Sequence, residues 1–596
     1  MIKSKKLLIA LTVLIALILS VTLVYSCNKQ DGETPSSDLG ETLDNIDTSI
    51  DDNDKSSEYN ESGATAVVFL DSSVAITGSG AVASGCDVTL SGAGTFILSG
   101  KCEDGSVTVD AGKGNKATVV LDGLELTNAD GVAIYIKSGK KITLTLAEGK
   151  ENVLSDGESY SIVEDGSTLD GTIFSKSDLV INGNGLLTVN GNNSHGIVSK
   201  DGLTIAGGSI SVSSKSAGIC GKDFLKIADA QISVSAGSDA LRSDNETDAD
   251  MGYIYVQSGT FTLDAYNDAM QAYSFVIIED GDFDISTSAT SSSESAKGIK
   301  GSSGVKISGG TFAINTEDDG LHANGDILVT GGDFTINTGD DGVHADGTLE
   351  ITGGNIVISR SYEGIEGTHI VVSGGYIDIT SSDDGMNASG GNNSNSTAVG
   401  GRPGMDMFEA TDGSITVSGG YIIIHNEGDG VDSNGSLTVS GGVILVDGPQ
   451  SGGNGSFDYA STAKITGGVV ITLGTSDMAQ NFSEATQGTM LVGFNGYAPI
   501  GTTLSVCDEN GNVIVAFTST KYFSCALFSA PEIKKGSTYS IYMDADIEGL
   551  DMNGYAHNTT QTGGTLLGSI EMTDYIYGQG SGMGGGGKPG GGGRPR

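Results

Sequence analysis

The sequence predicts an all-β chain: a right-handed parallel β-helix, a solenoid of coils about 22 residues long, with a small all-β C-terminal cap. Three observations point there. Glycine fills 93 of 596 positions, against 7 Pro and no Trp. That share is roughly twice the usual one, without a collagen triplet, and it implies many tight turns. The segments DILVTGGDFTIN, TLEITGGNIVIS, HIVVSGGYIDIT and SITVSGGYIIIH each alternate apolar and polar residues around a Gly-Gly corner, which is the strand period and not the helix period. Small corner residues also recur in one column: Gly196, Gly218, Ala240, Ala269, Gly298, Gly320, Gly342, Gly364, Gly385 and Gly430, mostly 21 or 22 residues apart. A unit of that length cannot bury its apolar face alone. Neighbours must stack, placing Leu321, Ala323, Ile327 and Val329 in inward ladders. A β-sandwich array would instead repeat at about 100 residues.

Taken in order, residues 1–26 read as a signal peptide: Lys3, Lys5 and Lys6 precede an apolar run from Leu7 to Leu19. Ser26 before Cys27 resembles a bacterial lipobox, so Cys27 is the expected lipidation site. The protein is then expected to be an extracellular, cell-surface lipoprotein that meets the membrane only through its anchor; an uncleaved membrane anchor is the alternative. Residues 27–63 are polar and acidic and read as a disordered tether. Residues 64–475 carry the coils. One long step holds Ala388–Gly413, an insertion of about one coil expected to protrude as a loop. Residues 476–575 lose the repeat and contain hairpin-like strands with DENGN as a turn, the expected cap over an open sheet edge. Residues 576–596 form a Gly-rich tail carrying Lys588, Arg594 and Arg596. Cys86 and Cys102, and Cys507 and Cys525, lie close enough in sequence to bridge neighbouring strands, with pairing open. No CxxC occurs, which argues against a structural zinc site of that type.

The formal net charge is −45, from 75 acidic and 30 basic residues. It argues against nucleic acid and anionic lipid as partners, and a monomer is expected. The acids are patterned. Just before the corner residue the column reads Asp239, Asp268, Lys297, Asp319, Asp341, Glu363, Asp384, Asp429, with a second carboxylate at Asp318, Asp340 and Asp383. Unit charges about 5 Å apart repel by roughly 0.8 kcal/mol in water and about 3 kcal/mol at an effective dielectric of 20. Calcium answers that need, because it accepts carboxylates, carbonyls and water in flexible geometry. The expected ligands are Asp318, Asp319, Asp340, Asp341, Glu363, Asp383 and Asp384, with a further site at Glu427, Asp429 and Asp432. Arg360 is the nearest base by sequence. The column two places after the corner reads Cys220, Arg242, Gln271, Lys300, His322, His344, Glu366, Asn387, Asp432. Strand alternation predicts a solvated polar strip there, and two stacked histidines alone are a weak metal signal. Tyr362, Tyr376 and Tyr421, with His322 and His344, are the candidate carbohydrate contacts.

The segments DDGLHANGDILVTGGDFTI, GDGVDSNGSLTVSGGVILVDGP, SGGNGSFDY and ITGGVVITLGTSDMAQ resemble the carbohydrate-binding β-helix proteins of clostridia and related bacteria, which look like pectate lyases in fold. The resemblance covers roughly residues 64–545. It implies an extracellular, calcium-binding solenoid that binds cell-wall polysaccharide, either cellulose-like or acidic and pectin-type. Binding without cleavage is the expectation. The alternatives are a lyase that cuts uronate polymers by β-elimination, using Lys300, Arg242 or Arg360, and a structural or adhesive scaffold. Against the lyase, Lys300 in a solvated acidic field would have its charge favoured and make a poor base.

Overall fold

The structure, a computed structural model, describes residues 37, 39–164, 166–290, 294–389 and 411–578. The expected signal peptide and lipidation site, most of the expected 388–413 loop, and nearly all of the tail lie outside the described residues.

Within the described residues the chain is all-β with almost no helix: 46 strands share one sheet. A five-stranded sheet (Thr503–Cys507, Val513–Thr518, Thr538–Ile547, Tyr555–Thr559, Gln561–Glu571) and a hairpin (Ile162–Glu164 with Ser167–Leu169) form separate sheets. Through the body, strands recur in threes and each pairs in parallel with its counterpart one repeat later. One ladder is built from very short strands: Ile219–Gly221, Leu241–Ser243, Met270–Ala272, Ile299–Gly301 and Leu321–Ala323 stack in register. The pairs Leu321 with Val343, Val343 with Ile365, Ile365 with Met386, Met386 with Val431 and Val431 with Phe457 continue it. A second ladder holds Phe224–Ile227, Tyr253–Val256, Phe275–Ile278, Gly304–Ile307 and Asp326–Val329. A third holds Ala230–Ala236, Gly259–Ala265, Asp282–Thr287, Thr311–Asn315 and Asp333–Asn337.

The corner column has a steric reason. A Cβ on Gly320 would sit 2.6 Å from Gly342 O and 2.8 Å from the Ile336 side chain, so the chain can tighten there only with a minimal residue. Inward residues then stack on their own kind. Phe261, Phe283, Phe312 and Phe334 lie face to face with centroids 4.5, 4.7 and 4.5 Å apart. That is the strand spacing, and each such pair adds roughly 0.5–1.5 kcal/mol beyond its burial.

Both ends of this parallel run turn antiparallel. Thr65–Asp71 pairs with Ser73–Thr77, and Ala81–Ser84 with Asp87–Ser91. At the other end Phe523–Ser529 pairs antiparallel with Thr462–Gly474 and with Thr489–Ala498. Leu504, Val506, Phe517 and Phe528 share a core with Ile423, Leu445 and Ile471 of the parallel strands. Cys86 and Cys102 form a disulfide. Cys507 and Cys525 remain free thiols because they lie on strands of different sheets.

The expectation of disorder fails for residues 39–63. Leu39–Leu43 and Asp52–Lys55 are short helices and Glu61–Gly63 is a single 3-10 turn. Leu39, Leu43 and Ile46 are buried on Tyr253, Tyr255, Phe275 and Ile277 of the second ladder. Lys226 donates to Asp47 Oδ2 (3.2 Å) and Ser49 O (2.9 Å). Lys141 Nζ lies 2.8 Å from Asp54 Oδ2, and Asn182 Nδ2 donates to the carbonyls of Asp54 and Ser56. Composition missed this strap because its few apolar residues are spaced three and four apart, while the matching aromatic surface lies some 200 residues away in the chain. Leu43→Asp is expected to release the strap and speed tryptic cleavage after Lys55 roughly tenfold or more, with the β body still resistant. Unchanged cleavage in a limited digest read by mass spectrometry would contradict the packing.

Candidate metal centre

The acidic column begins as a backbone device. Asp319 Oδ1 accepts the amide of Asp341 (3.0 Å), and Asp341 Oδ1 accepts the amide of Glu363 (3.1 Å). Asp239 likewise takes the amide of Asp268, Asp384 that of Asp429, and Asp429 that of Gly455. These five carboxylates therefore cap the corner of the next repeat, where the glycine turn leaves an N–H pointing along the stack. These acids are not a hydrated strip: Asp239, Asp268, Asp319 and Asp341 are between 1% and 5% exposed.

Buried carboxylates need counter-charge, and the polar column two places beyond the corner supplies it unevenly. Arg242 pairs with Asp239 (3.6 Å) and Asp244 (3.1 Å), and Lys300 with Asp268 (3.4 Å). Lys297 reaches across to Asp318 and Asp319, 2.7 Å from each. His322 Nδ1 lies 2.8 Å from Asp319, and His344 Nδ1 lies 3.0 Å from both Asp341 and Glu366. Burial acts to raise the Asp319 carboxyl, but the His322 hydrogen bond and the Lys297 ammonium hold it well below the usual carboxylate range. Burial likewise opposes the His344 charge, yet its bond to Asp341 and the field of Glu366 push its pKa up. Asp318, Asp319 and Asp340 do converge within 4.8 Å, with the Lys297 ammonium already between the first two. Lys297 was visible in the column by sequence. Arg360, expected nearest, is instead exposed and forms no ion pair among the described residues.

Beyond His344 the cations stop. Glu363, Glu366, Asp383, Asp384, Asp429, Asp432 and Asp458 gather there, and oxygens of Asp384, Asp429 and Asp432 lie within 4.8 Å of one another. Asp432 stands in register between Asn387 and Asp458. Burial, reinforced by neighbouring carboxylates, pushes the pKa of Glu363 up to about 9, Asp384 to about 6, Asp429 to about 7 and Asp432 to about 8. Asn387 Nδ2 donates to Glu363 (2.9 Å), while its Oδ1 is buried with no partner among the described residues. An orphaned carbonyl oxygen beside three converging carboxylates is an all-oxygen donor set. The three carboxylates lie close enough together to share one cation with bonds of about 2.3–2.6 Å, the calcium range. Glu427 is drawn out of this set by Lys521, 2.7 Å away.

The aromatic candidates separate. Tyr362 is 48% exposed and its hydroxyl bonds to Asp383, at the edge of the acidic cluster. Tyr376 and Tyr421 stack at 5.5 Å, but Asp551 and Asn553 hold the Tyr421 hydroxyl, Asn553 that of Tyr376, and Tyr555 packs edge-on to Tyr421. The stacked pair is thus engaged by the C-terminal segment. His322 is buried, leaving mainly the edge of half-buried His344 accessible. Tyr266 and Tyr273, 45% and 48% exposed, flank Asp268 and Gln271 in the same two columns' surroundings. Their adjacency to the corner was the available signal for them.

The sequence profile of the family described as carbohydrate-binding domain-containing protein matches residues 84–342 and 340–489. The chain belongs to that family. A carbohydrate-binding domain-containing protein of Acetivibrio thermocellus is 41% identical over 129 residues, 22% of this chain and 45% of the relative. The match therefore spans under half of that relative's length. A solved structure described as the polysaccharide lyase-like protein from C. thermocellum, a gadolinium derivative, aligns with 48% of this chain and 96% of its own, at 29% identity and a TM-score of 0.36.

The raised carboxyls give the metal-free protein a definite pH response. The folded state binds more protons than the unfolded one between the ordinary carboxylate pKa and the raised values, so stability falls as pH rises from about 5 to about 8. Melting in EDTA should follow that slope, and added calcium should raise Tm more at about pH 8 than at about pH 5. A metal-free Tm that rises over this interval would refute the assignment.

Proposed function

We propose that this protein is an extracellular, calcium-loaded polysaccharide binder that holds its glycan without cutting it. On this reading the three ladders are coils of a right-handed parallel β-helix over residues 64–475, residues 476–575 cap it, and Cys27 carries a lipid that tethers it to the cell surface. The observation that carries the reading is the unneutralised end of the acidic column: oxygens of Asp384, Asp429 and Asp432 converge, Asn387, in register with Asp432, keeps a buried carbonyl oxygen without a partner among the described residues, and half-exposed Tyr362 reaches the neighbouring Asp383.

The chemistry favours an acidic glycan. A chain of formal charge −45 repels a uronate polymer unless a cation bridges the two. Calcium held by a few protein oxygens keeps positions for sugar carboxylate and hydroxyl groups, because it takes six to eight ligands. Tyr362 offers the adjoining ring a flat apolar face. Membership of the carbohydrate-binding family supports the ligand class. Binding without cleavage is supported by the pairing of two of the three candidate bases: Lys300 is engaged by Asp268 and Arg242 by Asp239 and Asp244, while Arg360 is exposed and forms no ion pair among the described residues. A base for abstracting a sugar proton must be free to approach it, and these two side chains are held against carboxylates instead.

Calorimetry on the full chain tests this with calcium and polygalacturonate. The polymer is expected to bind when calcium is present and to be released by EDTA. Asp432→Asn should weaken calcium at least about tenfold and the polymer with it, while Tyr362→Ala should weaken the polymer alone. Equal polymer affinity in calcium and in EDTA would overturn the bridging role. Release of unsaturated uronate products would replace binding by cleavage.

A further inference from the structure

We propose that Tyr497 and Tyr522, at the antiparallel C-terminal end, form a second sugar site that stacks the apolar face of a neutral pyranose ring and needs no metal. The ligand class rests on the reading above; the site itself does not use calcium. Strand pairing builds it. Ala498 pairs with Phe523 in the antiparallel ladder, and both are buried. Side chains alternate along a strand, so Tyr497 and Tyr522, each one residue away, turn to the outer face. They are 60% and 41% exposed, with Ile500 at 66%. The turn that carries Ile500 is fastened to the segment before Tyr522: Gly501 N donates to Ser519 O (2.9 Å) and Ser519 N to Thr502 O (3.1 Å).

The two rings meet edge to face, with centroids 5.3 Å apart and planes at 83°. Each ring thereby holds the other in place and keeps a face for solvent, a rigid aromatic corner that loses little freedom on binding. Sugar C–H groups are drawn to such faces because the ring's π surface is negative. Neither hydroxyl bonds another described residue, unlike those of Tyr376 and Tyr421. The surroundings select an uncharged sugar. No charged side chain occurs from Ala485 to Cys507, in a chain of formal charge −45. Lys521, next to Tyr522, is occupied by Glu427 Oε1 at 2.7 Å and the Asn426 carbonyl at 2.6 Å. That contact ties the corner to Glu427, two residues before Asp429 of the acidic cluster. A second copy of the chain is a poor occupant: one aromatic side chain buries about 150–250 Å² even when fully covered, and a stable interface needs about 1,200 Å² or more.

Calorimetry of the full chain in EDTA with a soluble neutral β-glucan, hydroxyethyl cellulose, tests the site. The unmodified protein should bind it, and its near-ultraviolet absorbance, which tyrosine dominates in a chain with no Trp, should shift. Tyr497→Ala and Tyr522→Ala should each weaken binding about fivefold or more, while Tyr497→Phe keeps most of it. Asp432→Asn should leave the glucan unchanged while weakening calcium and polygalacturonate. No binding of the glucan by the unmodified protein, or equal binding by the double alanine variant, would overturn the site. So would a concentration-dependent dimer in sedimentation that the double variant abolishes. The spectral shift of the unmodified protein decides the question even where a variant fails to fold. Loss of polygalacturonate binding in calcium, with the glucan still bound, would count against the calcium reading alone.

Discussion

In-register parallel stacking is the constraint on which everything else in this molecule rests. Every side chain meets its counterpart from the next repeat at about 4.8 Å. Where the counterparts are apolar the stack gains with each layer, as in the run Phe261, Phe283, Phe312 and Phe334. Where they are carboxylates the same geometry concentrates charge, and repulsion must be offset layer by layer.

The corner column shows two solutions to that problem and then their absence. Backbone amides of the following repeat satisfy one oxygen of Asp239, Asp319, Asp341, Asp384 and Asp429. Arg242, Lys300 and Lys297 supply counter-charge in turn, and the two histidines then set ring nitrogens against Asp319 and Asp341. After His344 the column carries Glu366, Asn387 and Asp432 instead, and the carboxyls there hold their protons more tightly. One structural device, repeated with changing partners, thus yields a neutralised scaffold at one end and a cluster of carboxylates without counter-charge from the column at the other.

The second ladder has a different exposure problem. Tyr253, Tyr255 and Phe275 point away from the main core, and the strap at 39–63 covers them with Leu39, Leu43 and Ile46. Its acids also meet Lys226 and Lys141. The C-terminal segment does the same for Tyr376 and Tyr421 through Asn553 and Tyr555. Two aromatic surfaces are thus closed by distant parts of the chain, and of the three candidate tyrosines Tyr362 is the exposed one.

Sequence alone determined the strand period, the corner column and the pairs that lie above one another, because these follow from a local pattern repeated at nearly constant length. His322 over His344 and Tyr376 over Tyr421 were legible in that way. Tertiary structure decided which pairs matter. The reach of Lys297 to Asp318 and Asp319, the orphaned oxygen of Asn387, the strap on the second ladder and the cover over Tyr376 and Tyr421 all depend on side-chain length or on segments remote in sequence. Such contacts leave no periodic trace. A repeat specifies what stacks on what; only the folded chain specifies what reaches across, and charge and burial are settled by that reach.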